Sequence, residues 1–153
     1  MTETFILTIS RFQPQDQNAA KALILAGLAE HWGFLDTTRN PDLNDIAASY
    51  AEAVFLVARI NGKLVGTGAL VPRTVESAEI VRMSVDRSVR RQGIGQAILR
   101  ALLEHACQAG FRRITLETTA SWEEVIAFYL SSGFRITHEQ DGDVYFALDL
   151  AER

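Results

Sequence analysis

Residues 78–96 read Ala78-Glu79-Ile80-Val81-Arg82-Met83-Ser84-Val85-Asp86-Arg87-Ser88-Val89-Arg90-Arg91-Gln92-Gly93-Ile94-Gly95-Gln96. In the first half, Val81, Met83 and Val85 alternate with Ile80, Arg82 and Ser84, the period-two signature of a strand. In the second half, Gly93 and Gly95 stand two apart where a helical apolar pattern begins. A helix N-terminus gathers backbone N–H groups without intrahelical partners, and the helix dipole adds positive potential there. Glycine lacks a Cβ, so it accepts positive φ and lets a bulky anion approach the backbone. Arg90 and Arg91 bring two cationic donors to the same turn. Strand, arginine pair, Gly-x-Gly and helix together describe a cradle for a pyrophosphate.

Other phosphate-binding patterns fit less well. A dinucleotide fingerprint needs a third glycine three positions after Gly95, and Ile98 stands there. No Gly-Lys-Ser/Thr of a P-loop occurs in the chain. The plain alternative for these two glycines on their own is an ordinary softened turn.

Upstream, Phe5 to Phe12 alternates as an opening strand, and Pro14 suits the first turn of a helix running to about His31. A turn-rich stretch, Gly33 to Asp42, leads to a second helix over Leu43 to Glu52. Asp42 is its expected cap, with Asp45 at a suitable third position. Val54 to Ile60 is a solid apolar run, read as a buried strand, and Asn61-Gly62 signals a two-residue hairpin. Gly66 and Gly68 in the return strand, Leu64 to Val71, suggest a close approach or a bulge.

Downstream, Ile94, Ala97, Ile98, Ala101, Leu102 and His105 share one helix side, which Leu99, Leu103 and Ala106 widen. Gln96, Arg100, Glu104 and Cys107 lie opposite, and Gly110 is a natural stop. Arg113 to Thr119 reads as a strand. Ser121 with Glu124 makes a capping box for a helix carrying Tyr129 and ending by Gly133. Phe134 to His138 and Val144 to Leu150 form an antiparallel pair around Asp141-Gly142.

The 153 residues, 48% hydrophobic and 22% charged, suit one domain over 1–153 with a proper core, without repeats or a linker. A formal charge of −4 argues against a general nucleic-acid binder, and lysine is confined to Lys21 and Lys63. Cys107 alone gives no disulfide framework and fits a reducing compartment. No long apolar run or basic-then-apolar leader appears, so a cytoplasmic protein away from membranes is expected. His31, His105 and His138 are scattered without metal-ligand spacing, so no metal is expected.

Arg90-Arg91-Gln92-Gly93-Ile94-Gly95 matches the Arg/Gln-x-x-Gly-x-Gly/Ala signature, and Ala78 to Val85 the preceding strand, of the GNAT superfamily of acyl-CoA-dependent N-acetyltransferases. Ile114 to Thr118 resembles that family's fifth strand, and Phe128-Tyr129 with Gly133-Phe134 resembles its Tyr-x-x-x-Gly-Phe ending. The resemblance is sharp over residues 60–135. It implies an α/β fold with a mixed, mostly antiparallel sheet of about seven strands and helices on both faces. It implies acetyl transfer from acetyl-CoA to a primary amine by direct attack, and homodimers are frequent in the family.

The resemblance also assigns residues. The amides of Gln92, Gly93, Ile94, Gly95 and Gln96 would meet the diphosphate of CoA, and the edge at Met83, Ser84 and Val85 would pair with its pantetheine arm. Tyr129 lies where the family's general acid does. Its phenol, of reference pKa about 10, can hand a proton to a thiolate whose acid has pKa about 8.5. Its plain alternative is a core tyrosine beside Val125 and Phe128.

Glu79 is the expected base, with a pKa raised by desolvation; a rim carboxylate paired with Arg82 is the equal alternative. Glu117 is a second choice of base facing the same cleft. Trp122 stands where many members carry Asn, which points to a more apolar acceptor mouth. That substitution also supports a second function, an acyl-CoA-binding sensor without turnover. Trp32 and Phe34 sit where the family's loop overhangs the acceptor, though packing of the helix pair is the plainer reading. Asp36, Arg39 and Asp42 are placed there to orient a charged acceptor.

Overall fold

A computed structural model of the chain describes residues 5–32 and 40–150, with the backbone alone at 31 and 32. Seven strands form one sheet: β1 (Leu7–Arg11), β2 (Val54–Ile60), β3 (Lys63–Pro72), β4 (Ser77–Val85), β5 (Arg113–Thr119), β6 (Arg135–Gln140) and β7 (Asp143–Asp149). Their order is β1-β2-β3-β4-β5-β7-β6. Every pairing is antiparallel except β4 with β5. That is the mixed, mostly antiparallel sheet expected from the sequence. The helices are α1 (Gln17–Trp32), α2 (Ile46–Ser49), α3 (Ile94–Ala109) and α4 (Glu123–Ser131).

The sheet divides the core in two. On one face α3 buries Ile94, Ile98, Leu99, Leu102 and Ala106 against Leu56, Ile80, Ile114, Leu116 and Phe146. On the other, Ala20 and Ile24 of α1 meet Leu43, Ile46, Phe55, Val57 and Ala69. The polar stripe expected on α3 is exposed at Gln96, Arg100 and Glu104, but Cys107 is half-buried rather than fully on that stripe.

Three helix boundaries differ from the sequence reading. Residues Pro14–Asp16 and Pro41–Asn44 form short 3₁₀ turns ahead of α1 and α2. The second helix shrinks to one turn, capped by Asp45, whose carboxylate accepts from the Ala48 amide (3.2 Å). Asp42 is drawn away to Arg82 instead. A single turn has no intrinsic stability. Fully buried Leu43 and Ile46 hold it, and so does Gln17, which donates to the Leu43 carbonyl (2.7 Å) and accepts from the Ile46 amide (2.9 Å). The Ser121–Glu124 capping box does not form. Trp122 is the N-cap residue of α4, because residues 119–122 close a turn through the Trp122 amide and the Thr119 carbonyl (3.0 Å).

The simple alternation expected along β4 also breaks. Ile80 faces α3, Val81 faces α1, and then Met83 and Val85 face α3 again. A bulge is responsible. The register slips between Thr67 and Ala69, and Arg82 takes φ of 57°, a left-handed conformation costly for a non-glycine residue. Gly68 sits opposite. A Cβ there would lie 2.6 Å from Met83 Sδ and 2.7 Å from Ile98 Cγ2. The close approach suggested by Gly66 and Gly68 is therefore real, since a Cβ on Gly66 would also meet Ile98, at 2.7 Å.

Candidate active site

The strands β4 and β5 are parallel neighbours for only three residue pairs, ending at Glu79 with Thr115. Beyond that pair no described strand bonds to the β5-facing edge of β4, although β4 continues to Val85 on β3. A gap opens between the two strands. Its β4 edge offers unpaired backbone donors and acceptors, the means by which an extended amide chain is held.

The turn after β4 leads to the N-terminus of α3. Gly93 takes φ of 80°, and nothing lies within 4 Å of where its Cβ would be. No side chain caps the helix, so its first amides remain to be met by another group. An anion placed there would also gain from the dipole of a 16-residue helix. Gly95 is the point where α4 closes in, with Phe128 3.7 Å from its Cβ position.

The two arginines of this turn are unequal. Arg90 donates through both terminal nitrogens to Glu30 of α1 (2.5 and 2.8 Å) and through Nε to the Val85 carbonyl (3.2 Å). The Glu30 hydrogen bond holds Arg90 protonated more firmly than usual, against partial burial. Arg91, at φ of 66°, is 89% exposed and only 3.9 Å from an equally exposed Glu124. Such a pair contributes almost nothing. Arg91 is the exposed cation of this turn, while Arg90 ties the turn to α1.

Tyr129 is 6% exposed. Its ring meets Phe128, Phe134 and Phe146 at 5.1, 5.8 and 5.8 Å, the first two edge-on. Burial alone pushes its phenol pKa well above the usual value, so the proton stays on oxygen throughout the neutral range.

Glu79 does not pair with Arg82. It accepts from Arg73 Nε (2.8 Å), with Arg73 Nη2 at 2.7 Å. Arg82 instead grips Asp42 with two hydrogen bonds (2.7 and 3.0 Å) and donates to Asn40 (3.1 Å). Tyr50 donates to the same Asp42 (2.6 Å). Burial would raise the Asp42 pKa, but Arg82 and Tyr50 override it and lower it. Burial first, then Asp42, pushes Tyr50 up to about 12.

The profile of the acetyltransferase (GNAT) family matches residues 20–134. The chain belongs to the GNAT acetyltransferase family. It is 30% identical over 132 residues to the uncharacterized N-acetyltransferase YjgM of Escherichia coli, covering 81% of this chain and 79% of that protein. A GNAT acetyltransferase structure from Staphylococcus aureus superposes with a TM-score of 0.87 at 20% identity, covering 95% of this chain and 100% of the other. The PaiA N-acetyltransferase of Thermoplasma acidophilum, solved with coenzyme A, gives 0.84 at 16% identity over 95% and 99%. This chain spans about half the length of several other curated relatives that it matches.

Met83, Ser84 and Val85 lie on the open stretch of β4, and Gln92 to Gln96 span the turn into α3. Glu117 lies on β5 past the last β4 pair, on an exposed face. Trp122 is half-buried at the start of α4. The Trp32 side chain, Phe34, Asp36 and Arg39 lie outside the described residues. Glu30 was missed, and so were the Asp42–Arg82–Tyr50 group and the His138–Tyr145 stack. Each joins side chains from separate elements, and no local pattern marks such a pairing.

Among the described residues no helix is long and apolar enough to cross a membrane.

Proposed function

We propose that this chain transfers an acetyl group from acetyl-CoA to a primary amine by direct attack within a ternary complex. One observation carries the reading: the opened β4 edge leads through the turn at 86–93 to an α3 N-terminus without a side-chain cap and with a glycine at positive φ. These features fit the two halves of the cofactor, an extended amide chain and a diphosphate. When bound, acetyl-CoA supplies a thioester-activated acetyl group that a neutral amine takes up with release of the thiol.

The amides of Gln92 to Gln96 and the Arg91 side chain hold negative charge at the turn. Residues Met83 to Val85 hold the extended arm by backbone pairing, and Val85 is further fixed through its carbonyl by Arg90. Tyr129 acts as a hydrogen-bond donor toward the leaving sulfur. With a pKa raised by burial, full transfer of its proton to a thiolate of about 8.5 is uphill, so much of its effect comes from stabilising charge as it develops. Glu79 accepts the amine proton, directly or through water, by exchanging its Arg73 partner for the amine. Holding both reactants at the gap provides the remaining advantage.

The test is thiol release from acetyl-CoA against a panel of amines, with cofactor binding measured calorimetrically in parallel. Tyr129→Phe is expected to lower kcat by about a hundredfold while acetyl-CoA affinity changes less than about twofold. Binding without release across the whole panel would replace this reading by a sensing module. No binding would remove the cofactor assignment of Arg91 and Gln92 to Gln96.

A further inference from the structure

On the sheet face that α1 covers at β3 and β4, the part over β5, β7 and β6 carries exposed Glu117 and His138 and half-buried Thr115, Thr119, Asp143 and Tyr145, with Ala147 buried among them. Ile114, Leu116, Val144 and Phe146 point into the α3 core, so Thr115, Glu117, Thr119, Asp143 and Tyr145 take the opposite side. The register sets Glu117 opposite Tyr145, and Tyr145 opposite His138. These three residues form one row across three strands. Glu117 is also the first β5 residue on this face beyond the last β4 pair, which places it at the rim of the gap.

The row is built by a second bulge. In regular pairing Thr137, not His138, would oppose Tyr145. The register slips between Ile136 and His138 and turns the imidazole onto this face. The two rings stack at 4.3 Å with 18° between their planes. Thr137 Oγ1 lies 2.9 Å from His138 Nδ1 and donates to the Tyr145 carbonyl (3.3 Å). Carboxylates surround the stack. Glu117, as a hydrogen-bond partner, raises the Tyr145 pKa, and Asp143 and Asp141 add to the rise. Arg135, one row away, is engaged by Asp149 (3.0 Å).

Resting on the acetyl-transfer reading, we propose that Glu117, Tyr145, His138 and Asp143 hold the far end of the acceptor and select an amine carrying a second cationic centre. The attacking nitrogen must be neutral. An acidic wall against that nitrogen would favour its protonated form and oppose attack. A second nitrogen, which does not react and stays protonated, takes the same field as pure attraction. From the gap to Tyr145 and His138 is one to two strand spacings, roughly 5–10 Å, the reach of a diamine with four to six carbons. A stacked aromatic pair offers a ring face to the cation and Glu117 a charge-assisted acceptor.

The test compares kcat/KM for 1,5-diaminopentane and pentylamine in the wild type, Glu117→Gln and His138→Ala, with acetyl-CoA affinity measured in each protein. The wild type should prefer the diamine by about tenfold or more. Glu117→Gln should remove most of that preference through the KM for the diamine, and His138→Ala should remove about threefold. Acetylation of both amines without preference, or equal losses on both in Glu117→Gln, would overturn the proposal while acetyl transfer stands. Failure to bind acetyl-CoA or to acetylate any amine would overturn the transfer reading, and this proposal with it.

Discussion

The two sides of the β4–β5 gap are each shaped by a bulge, and the bulges work differently. In β4 the irregularity at Arg82 is pressed from behind by α3, through Ile98 and Leu102 against Gly68. Its product is a backbone edge. In β6 the irregularity at Thr137 lies on an edge strand whose residues are all exposed. Its product is a side-chain row. A backbone ligand site demands close approach and positive φ, so it must be packed and rigid. A site read by side chains can sit on an open, adjustable face. On the proposed reading, the common cofactor falls to the first kind and the variable acceptor to the second.

The sharpest way to break this contrast is Gly68→Val. A Cβ at that position already lies 2.6 Å from Met83 Sδ and 2.7 Å from Ile98 Cγ2, and the valine methyls add to the conflict. Overpacking of this kind costs about 1–3 kcal/mol. We expect that loss in urea unfolding, together with weaker acetyl-CoA binding as Met83 shifts the β4 edge. The diamine-to-monoamine preference should persist, because the atoms nearest that position belong to Met83, Ile98 and Leu102 and not to the β5–β7–β6 face. A changed preference with cofactor affinity intact would invert the assignment of the two sides.

The same contrast explains what was legible in the sequence. Gly66, Gly68 and Gly93 are backbone requirements, and a backbone requirement leaves its mark as a residue type at a fixed spacing. The strands followed from alternation and from Asn61-Gly62 and Asp141-Gly142, whose four residues all take positive φ. The β4 side-chain directions did not follow. Nothing in Val81-Arg82-Met83 says that an extra residue will be accommodated at Arg82, because the partner that forces it, Gly68, lies on another strand. His138 was dismissed as scattered for the same reason. Its neighbour Tyr145 is set by a register slip that no local pattern encodes. Asp42 was read as a helix cap, and a competing partner forty residues away in sequence won it.

That competition gives an intermediate effect. Asp42 fastens the lead-in to α2 to the bulge of β4, on the proposed cofactor side. Its folded pKa is lowered relative to the unfolded chain. A depressed carboxylate stabilises the fold above the unfolded pKa, near 4, and that contribution fades as the pH falls through the lower folded value. Asp42→Asn should cost about 1 kcal/mol at neutral pH, solvent screening included. The difference from wild type should shrink below pH 4, read from urea unfolding at a series of pH values. A constant difference down to pH 2 would show that the hydrogen bonds to Arg82 and Tyr50 matter and the charge does not.

The smallest effect asks how far α1 shapes the proposed cofactor side. Glu30 on α1 and Arg90 in the turn before α3 form a second bridge onto it, and their side chains are 30% and 36% exposed. A pair this open contributes at most about 1 kcal/mol. Its carboxylate, however, stands beside a turn built for an anion, and it occupies an arginine that would otherwise face that anion. Glu30→Gln removes the repulsion and loosens Arg90. Acetyl-CoA affinity should therefore rise by about two- to fivefold at low ionic strength and return to the wild-type value near 1 M salt, where the Debye length falls to about 3 Å. Isothermal titration at both salt concentrations reads this directly. A weaker affinity at both would mean that Arg90 serves by position, clamped between Glu30 and the Val85 carbonyl. In that case α1 would set the shape of the cofactor edge, and the division between a rigid cofactor side and an adjustable acceptor side would end at Val85.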